Sequence, residues 1–125
     1  MYEVTARLSI REGKRDAFKK QAAEMMRQTR EKDTKTLRYD WFLNADETRC
    51  EVHEAYFDAD GLLEHHYNIA AAKMILFQDF ADDHDMTIYG EPSPALAEAR
   101  STMTAHVAFH TYTLLDGMTA SATIG

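Results

Sequence analysis

The amino-acid sequence predicts an α+β domain of the ferredoxin-like type, with the element order βαββαβ, an antiparallel sheet and two helices on one sheet face. Two observations indicate this fold. Residues 36–57 form two segments with strand alternation around a polar turn, which is typical of a β-hairpin. A strand pattern and then a helix pattern precede the hairpin, and a helix pattern and then a strand pattern follow it.

Periodicity indicates the first strand and the first helix. Residues 2–10 alternate apolar with polar side chains, so this strand has one apolar face. A helix is predicted from about residue 14 to residue 31, and we expect it to pack one face on the sheet. The apolar stripe of this helix contains Phe18, Ala22, Met25, Met26 and Thr29.

The two faces of the hairpin differ in composition. One face combines aromatic side chains with a carboxylate, and its members are Tyr39, Trp41, Glu54 and Tyr56. The opposite face is mixed and includes Phe42, His53, Ala55 and Phe57. Because two helices on one sheet face leave the other face uncovered, we predict a homodimer in which two such faces pack together.

The second helix and the last strand of the domain follow the hairpin. Residues 58–60 offer acidic side chains suited to a helix start. A helical apolar pattern then continues to about residue 81, with a stripe of Leu62, Leu63, Ala70, Met74, Phe77 and Phe80. Residues 82–85 are interpreted as a polar stop, and residues 86–89 as a short strand.

The C-terminal residues extend beyond this domain. Residues 95–100 are compatible with a short helix, and residues 103–115 have strong strand character. We therefore divide the chain into a ferredoxin-like domain, residues 1–95, and an extension, residues 96–125. The extra strand is expected either on the edge of its own sheet or exchanged with the partner subunit.

Composition limits the class of protein. A chain of 125 residues with 45% hydrophobic residues is long enough for one domain with a core. The net charge of -7 argues against binding to nucleic acid or to an anionic membrane surface. No stretch of about 18 apolar residues occurs that could span a bilayer. The single Cys50 cannot form a disulfide within the chain, which favours a cytoplasmic location.

Residues 4–30, 36–66 and 85–94 together resemble the antibiotic biosynthesis monooxygenase family of dimeric α+β barrels. The resemblance covers about residues 1–95 and rests on the pattern of the whole domain. It implies a ferredoxin-like subunit, a dimer whose sheets face each other, and a pocket in each subunit between sheet and helices. Some family members oxidise quinols or aromatic polyketides with O₂ and without a metal, flavin or other cofactor, whereas related members degrade haem.

Three side chains are candidates for proton transfer. Glu54 is a carboxylate on the aromatic face of the hairpin, where an apolar environment would raise its pKa and suit it to act as a general base. His65 matches the position of a His that recurs in the second helix of the family. Helical phase instead places His66 at the centre of the apolar stripe. These two arguments disagree, and we prefer His65; a structural role is the alternative for all three side chains.

Other side chains of the same region are candidates for binding a ligand. Tyr39, Trp41 and Tyr56 would form aromatic walls for a planar phenol or quinol, although aromatic residues at strand spacing are also typical of a core. Asn68 on the second helix would bind an oxygen of the substrate or of a peroxide. We expect no metal site, because the adjacent His65 and His66 point about 100° apart on a helix.

The sequence therefore leaves several functions open. The first is a cofactor-free monooxygenase, in which Glu54 or His65 deprotonates a quinol or polyketide-like substrate and the resulting anion reacts with O₂. The second is a dimer that binds a small planar ligand, or acts in a stress response, without turnover. Haem binding or degradation is a third function, although the polar face of the first strand lacks the Asn that the haem-degrading relatives use. A purely structural dimer is a fourth.

Overall fold

The structure is a computed structural model that describes residues 1–102 and 107–118. Its elements follow the predicted order and add a third helix and a fifth strand. They are β1 (Tyr2–Ile10), α1 (Arg15–Lys32), β2 (Thr36–Leu43), β3 (Arg49–Tyr56), α2 (Ala59–Asp79), β4 (Ala81–Tyr89), α3 (Pro94–Thr102) and β5 (Ala108–Tyr112). The predicted ferredoxin-like α+β fold is thus confirmed.

The strands form one open, mixed sheet with the order β2-β3-β1-β4-β5. The first four strands pair antiparallel, and β5 pairs parallel with β4. In the β2–β3 hairpin, Tyr39 lies opposite Glu54 and Trp41 lies opposite Val52. Since side chains alternate between the two faces of a strand, this register places Tyr39, Trp41 and Glu54 on one face, as predicted.

The core lies between this face of the sheet and helices α1 and α2. Apolar side chains from both layers are fully buried there, among them Val4, Leu8, Phe18, Tyr56, Leu76 and Ile88. We call the other side of the sheet the open face. On it Phe42 remains 51% exposed, and Phe57, which follows β3, remains 65% exposed. No helix in the described ranges is long and apolar enough to cross a membrane.

The apolar stripe predicted for α2 is confirmed in part, because Leu62 is buried and Leu63, Phe77 and Phe80 pack against the core. Met74 is 68% exposed, whereas the stripe buried on the sheet contains Leu62, His65, Ile69, Ala72 and Leu76. These residues follow the spacing of three and four that brings side chains to one helix face. His65 therefore lies in the centre of the buried stripe and His66 at its edge. A search for apolar residue types misses this phase because one position of the stripe is a histidine.

The acidic residues before the last domain strand also differ from the prediction. Residues 82–85, which were interpreted as a polar stop before the last strand, lie within that strand, because β4 begins at Ala81. Basic and hydroxyl side chains from β1 and its end bind these carboxylates: Arg11 Nε donates to Asp82 at 3.0 Å, and Ser9 Oγ donates to Asp83 at 2.8 Å. Because these side chains bind the carboxylates, the acidic residues 82–85 can form part of a strand of the sheet.

The C-terminal extension packs against the domain. The side chain of Leu96 in α3 is only 1% exposed, which anchors this helix. The extra strand β5 extends the sheet of its own chain through its pairing with β4. Residues 103–106 of the strand predicted over residues 103–115 lie outside the described residues. Exchange of the extension between subunits stays a prediction.

Replacing Gly61 by Ala is expected to destabilise the protein by about 1–3 kcal/mol. In the first turn of a helix this change normally stabilises by up to about 1 kcal/mol. Here the added Cβ would lie 2.9 Å from Tyr56 Cβ and 3.1 Å from Lys35 Cβ, and neither atom can rotate away. The free energy of unfolding in urea measures the effect.

Gly117→Ala is the control for this prediction, because its added Cβ meets only Leu114 Cδ1, at 3.6 Å. We expect a change within about 0.5 kcal/mol for this control. A Gly61→Ala variant as stable as the wild type would show that α2 does not approach the hairpin as closely as described.

Candidate active site

A small cavity lies between the sheet and α2 and extends to α3 and β5. Its volume is about 50 Å³. This space is sufficient for water, but ligand sites in proteins usually measure roughly 300–1,000 Å³, so a planar aromatic ligand would have to displace lining side chains. Tyr39 also lines an open groove of about 350 Å³ between α1 and β2. The polar side chains that line the cavity include Glu54, His65, His66, Lys73, His84 and Arg100.

Glu54 of β3 places a carboxyl group in this apolar cavity. Its residue is 6% exposed, and the hydroxyl of Tyr56 donates a hydrogen bond to its Oε1. Burial raises the pKa of Glu54, and this effect outweighs the opposite influence of His65 and of the Tyr56 hydrogen bond. Glu54 is thus a carboxyl group that holds a proton more readily than one in water.

His65 connects Glu54 to a second carboxylate. Its Nδ1 lies 2.8 Å from Asp33 Oδ2, and its Nε2 lies 3.9 Å from Glu54 Oε1. Because an ionised carboxylate only accepts, Nδ1 carries the proton that is donated to Asp33. When the ring is neutral, Nε2 is then left as an acceptor. The side chains of His65 and Asp33 are 4% and 1% exposed. This arrangement fixes the tautomer and the orientation of the imidazole.

Asp33 was not identified from the sequence. It is the C-cap residue of α1, and it also accepts hydrogen bonds from Thr36 Oγ1 at 2.6 Å and from Asn68 Nδ2 at 2.8 Å. Burial by itself would raise the pKa of Asp33, but the hydrogen bonds from His65, Thr36 and Asn68 hold the pKa below its usual range. Asp33 is therefore an ionised partner for His65.

The structure brings most of the predicted site residues together, but not all of them into the cavity. Tyr39, Trp41, Glu54, His65 and His66 line it. The ring of Tyr39 contacts the His65 ring at 4.5 Å in an edge-on arrangement. Two residues lie behind the lining, where each holds a carboxylate of the site: Tyr56 bonds to Glu54, and Asn68 bonds to Asp33.

Lys73 is a second residue that the sequence did not reveal as part of the site. It lies two turns after His66 on α2, and its Nζ is 2.8 Å from His66 Nδ1. Burial, followed by the charge of Lys73, lowers the pKa of His66 to about 4. The signal available in the sequence was a single charge within the apolar run of residues 69–77.

Residues that could support other chemistry are not assembled here. Within residues 1–102 and 107–118, no group of three His, Cys, Asp or Glu side chains is arranged to hold a metal ion. Burial raises the pKa of the Cys50 thiol to about 12, so the reactive thiolate is scarce at neutral pH.

Solved structures share this fold over different lengths of the chain. MupZ from Pseudomonas fluorescens has 24% sequence identity and a TM-score of 0.74, covering 98% of this chain and 95% of that one. Rv0793 from Mycobacterium tuberculosis has 21% identity and a TM-score of 0.63 over 75% of this chain and 97% of that one. SO0527 from Shewanella oneidensis has 20% identity and a TM-score of 0.64 over 72% and 89%. At these identities the likeness shows the fold alone.

The sequence itself identifies the family. No curated protein matches the chain. The sequence pattern of the family described as antibiotic biosynthesis monooxygenase matches residues 1–75, which is more than half of the chain and includes Glu54 and His65. The resemblance noted from the sequence is thereby confirmed, and the chain belongs to the antibiotic biosynthesis monooxygenase family.

Proposed function

We propose that this protein is a cofactor-independent monooxygenase that deprotonates a quinol or a polyketide-like aromatic substrate and lets the resulting anion react with O₂. The observation that supports the proposal is the position of His65, with Nδ1 at 2.8 Å from Asp33 and Nε2 beside Glu54 in an apolar cavity. A general base needs a free lone pair directed at the substrate, and Nε2 has one.

In the proposed reaction His65 Nε2 accepts the proton. The positive charge that forms on the imidazole lies between two carboxyl groups, Asp33 at 2.8 Å and Glu54 at 3.9 Å. In a site that excludes water, such an arrangement stabilises the ion pair of imidazolium and substrate anion. Tyr39 and Trp41 supply the aromatic walls for a planar anion.

The oxidation itself balances without a further redox group. For a substrate with an acidic CH₂ group, the carbanion gives one electron to O₂, and recombination forms a carbon–oxygen bond. The protonated His65 returns its proton to the peroxide, and the hydroperoxide loses water as the carbonyl forms. One O₂ thus yields one carbonyl group and one water. The electrons come from the substrate.

The quaternary structure belongs to the same proposal. The open face carries Phe42 at 51% exposure, its ring 4.8 Å from the ring of His53, and Phe57 lies exposed next to it. Water contact of such aromatic groups is unfavourable, and a second copy of the same face would remove it. The dimeric α+β barrel of the family supports a homodimer formed through this face.

Replacing Glu54 by Gln or His65 by Gln is expected to lower the rate of O₂ consumption with anthrone or menadiol by about 10²–10⁴-fold, the usual contribution of a general acid–base group. The rate of the wild type should survive a chelator. An oxygen electrode measures both quantities. Glu31→Gln on the exposed side of α1 is the matched control and should leave the rate unchanged.

Full activity in both the Glu54 and His65 variants would contradict the proposed roles. Binding of anthrone without any O₂ consumption by the wild type would instead favour the alternative function, a dimer that binds a small planar ligand without turnover.

The two carboxyl groups should affect stability with opposite pH dependence. The pKa of Glu54 is raised on folding, so its contribution is present in acid and is lost as the pH rises through the folded-state pKa. The pKa of Asp33 is lowered, so its contribution is present above the unfolded-state pKa and is lost in acid. At pH 7 we expect Glu54→Gln to be more stable than the wild type. Asp33→Asn should be less stable by about 1.5–3 kcal/mol.

The difference in the free energy of unfolding between each variant and the wild type should diminish as the pH falls. Urea unfolding between about pH 3 and 8 measures these differences. If Glu54→Gln were destabilising at pH 7 and this loss did not change with pH, the carboxyl group of Glu54 would not be titrating in the buried environment described.

Replacing Phe42 and Phe57 together by Asp is expected to convert the proposed dimer to monomers, because two charges would then be buried in each copy of the interface. Sedimentation velocity at micromolar concentration measures the change. Met74→Asp is the control, since Met74 is 68% exposed on α2 and should leave the dimer intact. A wild-type chain that sediments as a monomer would overturn this part of the proposal.

A further inference from the structure

The cavity lining contains a partly buried amino group for which the proposed proton transfer has no use. Lys73 projects from α2 into the lining, and its ammonium group lies 2.8 Å from His66 Nδ1. His84 of β4 lines the same part of the cavity, where its ring stacks on Phe77 at 4.3 Å. We call Lys73, His66 and His84 the Lys73 cluster.

Lys73 forms no ion pair with a carboxylate in the part of the chain that the structure describes, although the charge of Glu54 acts on it from a greater distance. Across residues 1–102 and 107–118, no carboxylate oxygen lies within 4.0 Å of Lys73 Nζ. The two imidazoles do not supply charge of either sign, because burial, with Lys73 as the next cause, lowers the pKa of both His66 and His84 to about 4. At neutral pH the two rings of the cluster are therefore uncharged, and Lys73 is its only basic group that can carry a charge.

The hydrogen bond between Lys73 and His66 also fixes what the cluster can bind. An ammonium group has donors only, so His66 Nδ1 must be the acceptor and His66 Nε2 carries the proton. Lys73 keeps two further N–H donors, and His66 offers one more. Partial burial of an ammonium group that forms no ion pair is unfavourable, and burial lowers the pKa of Lys73, against the smaller opposite influence of Glu54. What the cluster lacks is an anionic oxygen.

We propose that Lys73 and His66 bind a carboxylate of the ligand, so that the natural substrate is an aromatic acid. This inference rests on the proposed function in so far as both use the same cavity. Lys73 and the base His65 line one cavity, so a ligand whose carboxylate is bound at Lys73 occupies the same cavity as His65. Charge-assisted hydrogen bonds from an ammonium group are among the stronger polar interactions, so Lys73 determines which ligands are selected.

Arg100 is the other cation of the lining, and it differs from Lys73 in having partners. Its guanidinium donates to Thr111 Oγ1 at 2.9 Å and lies 4.6 Å from the centre of the Phe109 ring. These contacts hold Arg100 between α3 and β5. It therefore provides a matched control for the role of Lys73.

The test uses benzoate and benzamide, which have nearly the same shape and differ in charge, and it measures binding by titration calorimetry. We expect the wild type to bind benzoate at least about tenfold more tightly than benzamide. Lys73→Met should abolish this preference, because it should weaken the binding of benzoate and leave the binding of benzamide unchanged. Arg100→Gln should keep the preference.

The outcomes separate the inference from the proposed function. Equal affinity of the wild type for the two ligands, no binding of benzoate at millimolar concentration, or a preference that survives in Lys73→Met would overturn the inference. A wild-type protein that prefers benzoate over benzamide but consumes no O₂ with anthrone or menadiol would overturn only the monooxygenase proposal. The comparison of the two ligands on the wild type and on Arg100→Gln needs no Lys73 variant, so it decides between the two cations of the lining even if Lys73→Met does not fold.

Discussion

The hydrogen bond between Asp33 and His65 links the parts of the fold on which the site depends. Asp33 closes the C-terminal end of α1, and His65 lies in the buried stripe of α2, so a bond of 2.8 Å joins the two helices above the β2–β3 hairpin. Both side chains are almost fully buried. Breaking the bond would leave a carboxylate in the interior without its main partner, which is one of the costlier changes a protein can undergo. The spacing of the helices and the tautomer of His65 are thus set together.

The site combines groups that stabilise the fold with groups that weaken it. Asp33 is ionised and satisfied by three hydrogen bonds, whereas Glu54 and Lys73 are placed where burial opposes their charged forms. Groups with shifted pKa values cluster at functional sites, because acid–base chemistry depends on pKa values that differ from those in water. A well-packed core would be more stable with apolar residues at both positions.

The sequence predicted the parts of this site that depend on local geometry. Alternation along a strand placed Tyr39 and Glu54 on one face, and pairing in the hairpin brought them opposite each other. Asp33 was missed because its contact with His65 spans 32 residues and depends on where two helices cross. The centre of the buried stripe of α2 was misplaced because it contains His65, a residue type that apolar periodicity does not count. Lys73 was missed for a related reason: a charge within an apolar helix is read as exposed unless the tertiary structure is known.

Two parts of the chain form the walls of the cavity, and the solved structures with this fold match the two parts to different extents. The proposed acid–base groups lie within residues 1–75, the part that matches the family pattern, whereas α3 and β5 contribute Leu96, Arg100 and Phe109 to the lining. Of the solved structures described above, the one that matches 98% of the chain spans this wall, and those that match 72% and 75% cover about the length of the ferredoxin-like domain. The proposed proton-transfer groups and the part of the cavity lining that α3 and β5 supply therefore belong to separate segments of the chain. A new extension could change what the cavity admits and leave the proton-transfer groups untouched.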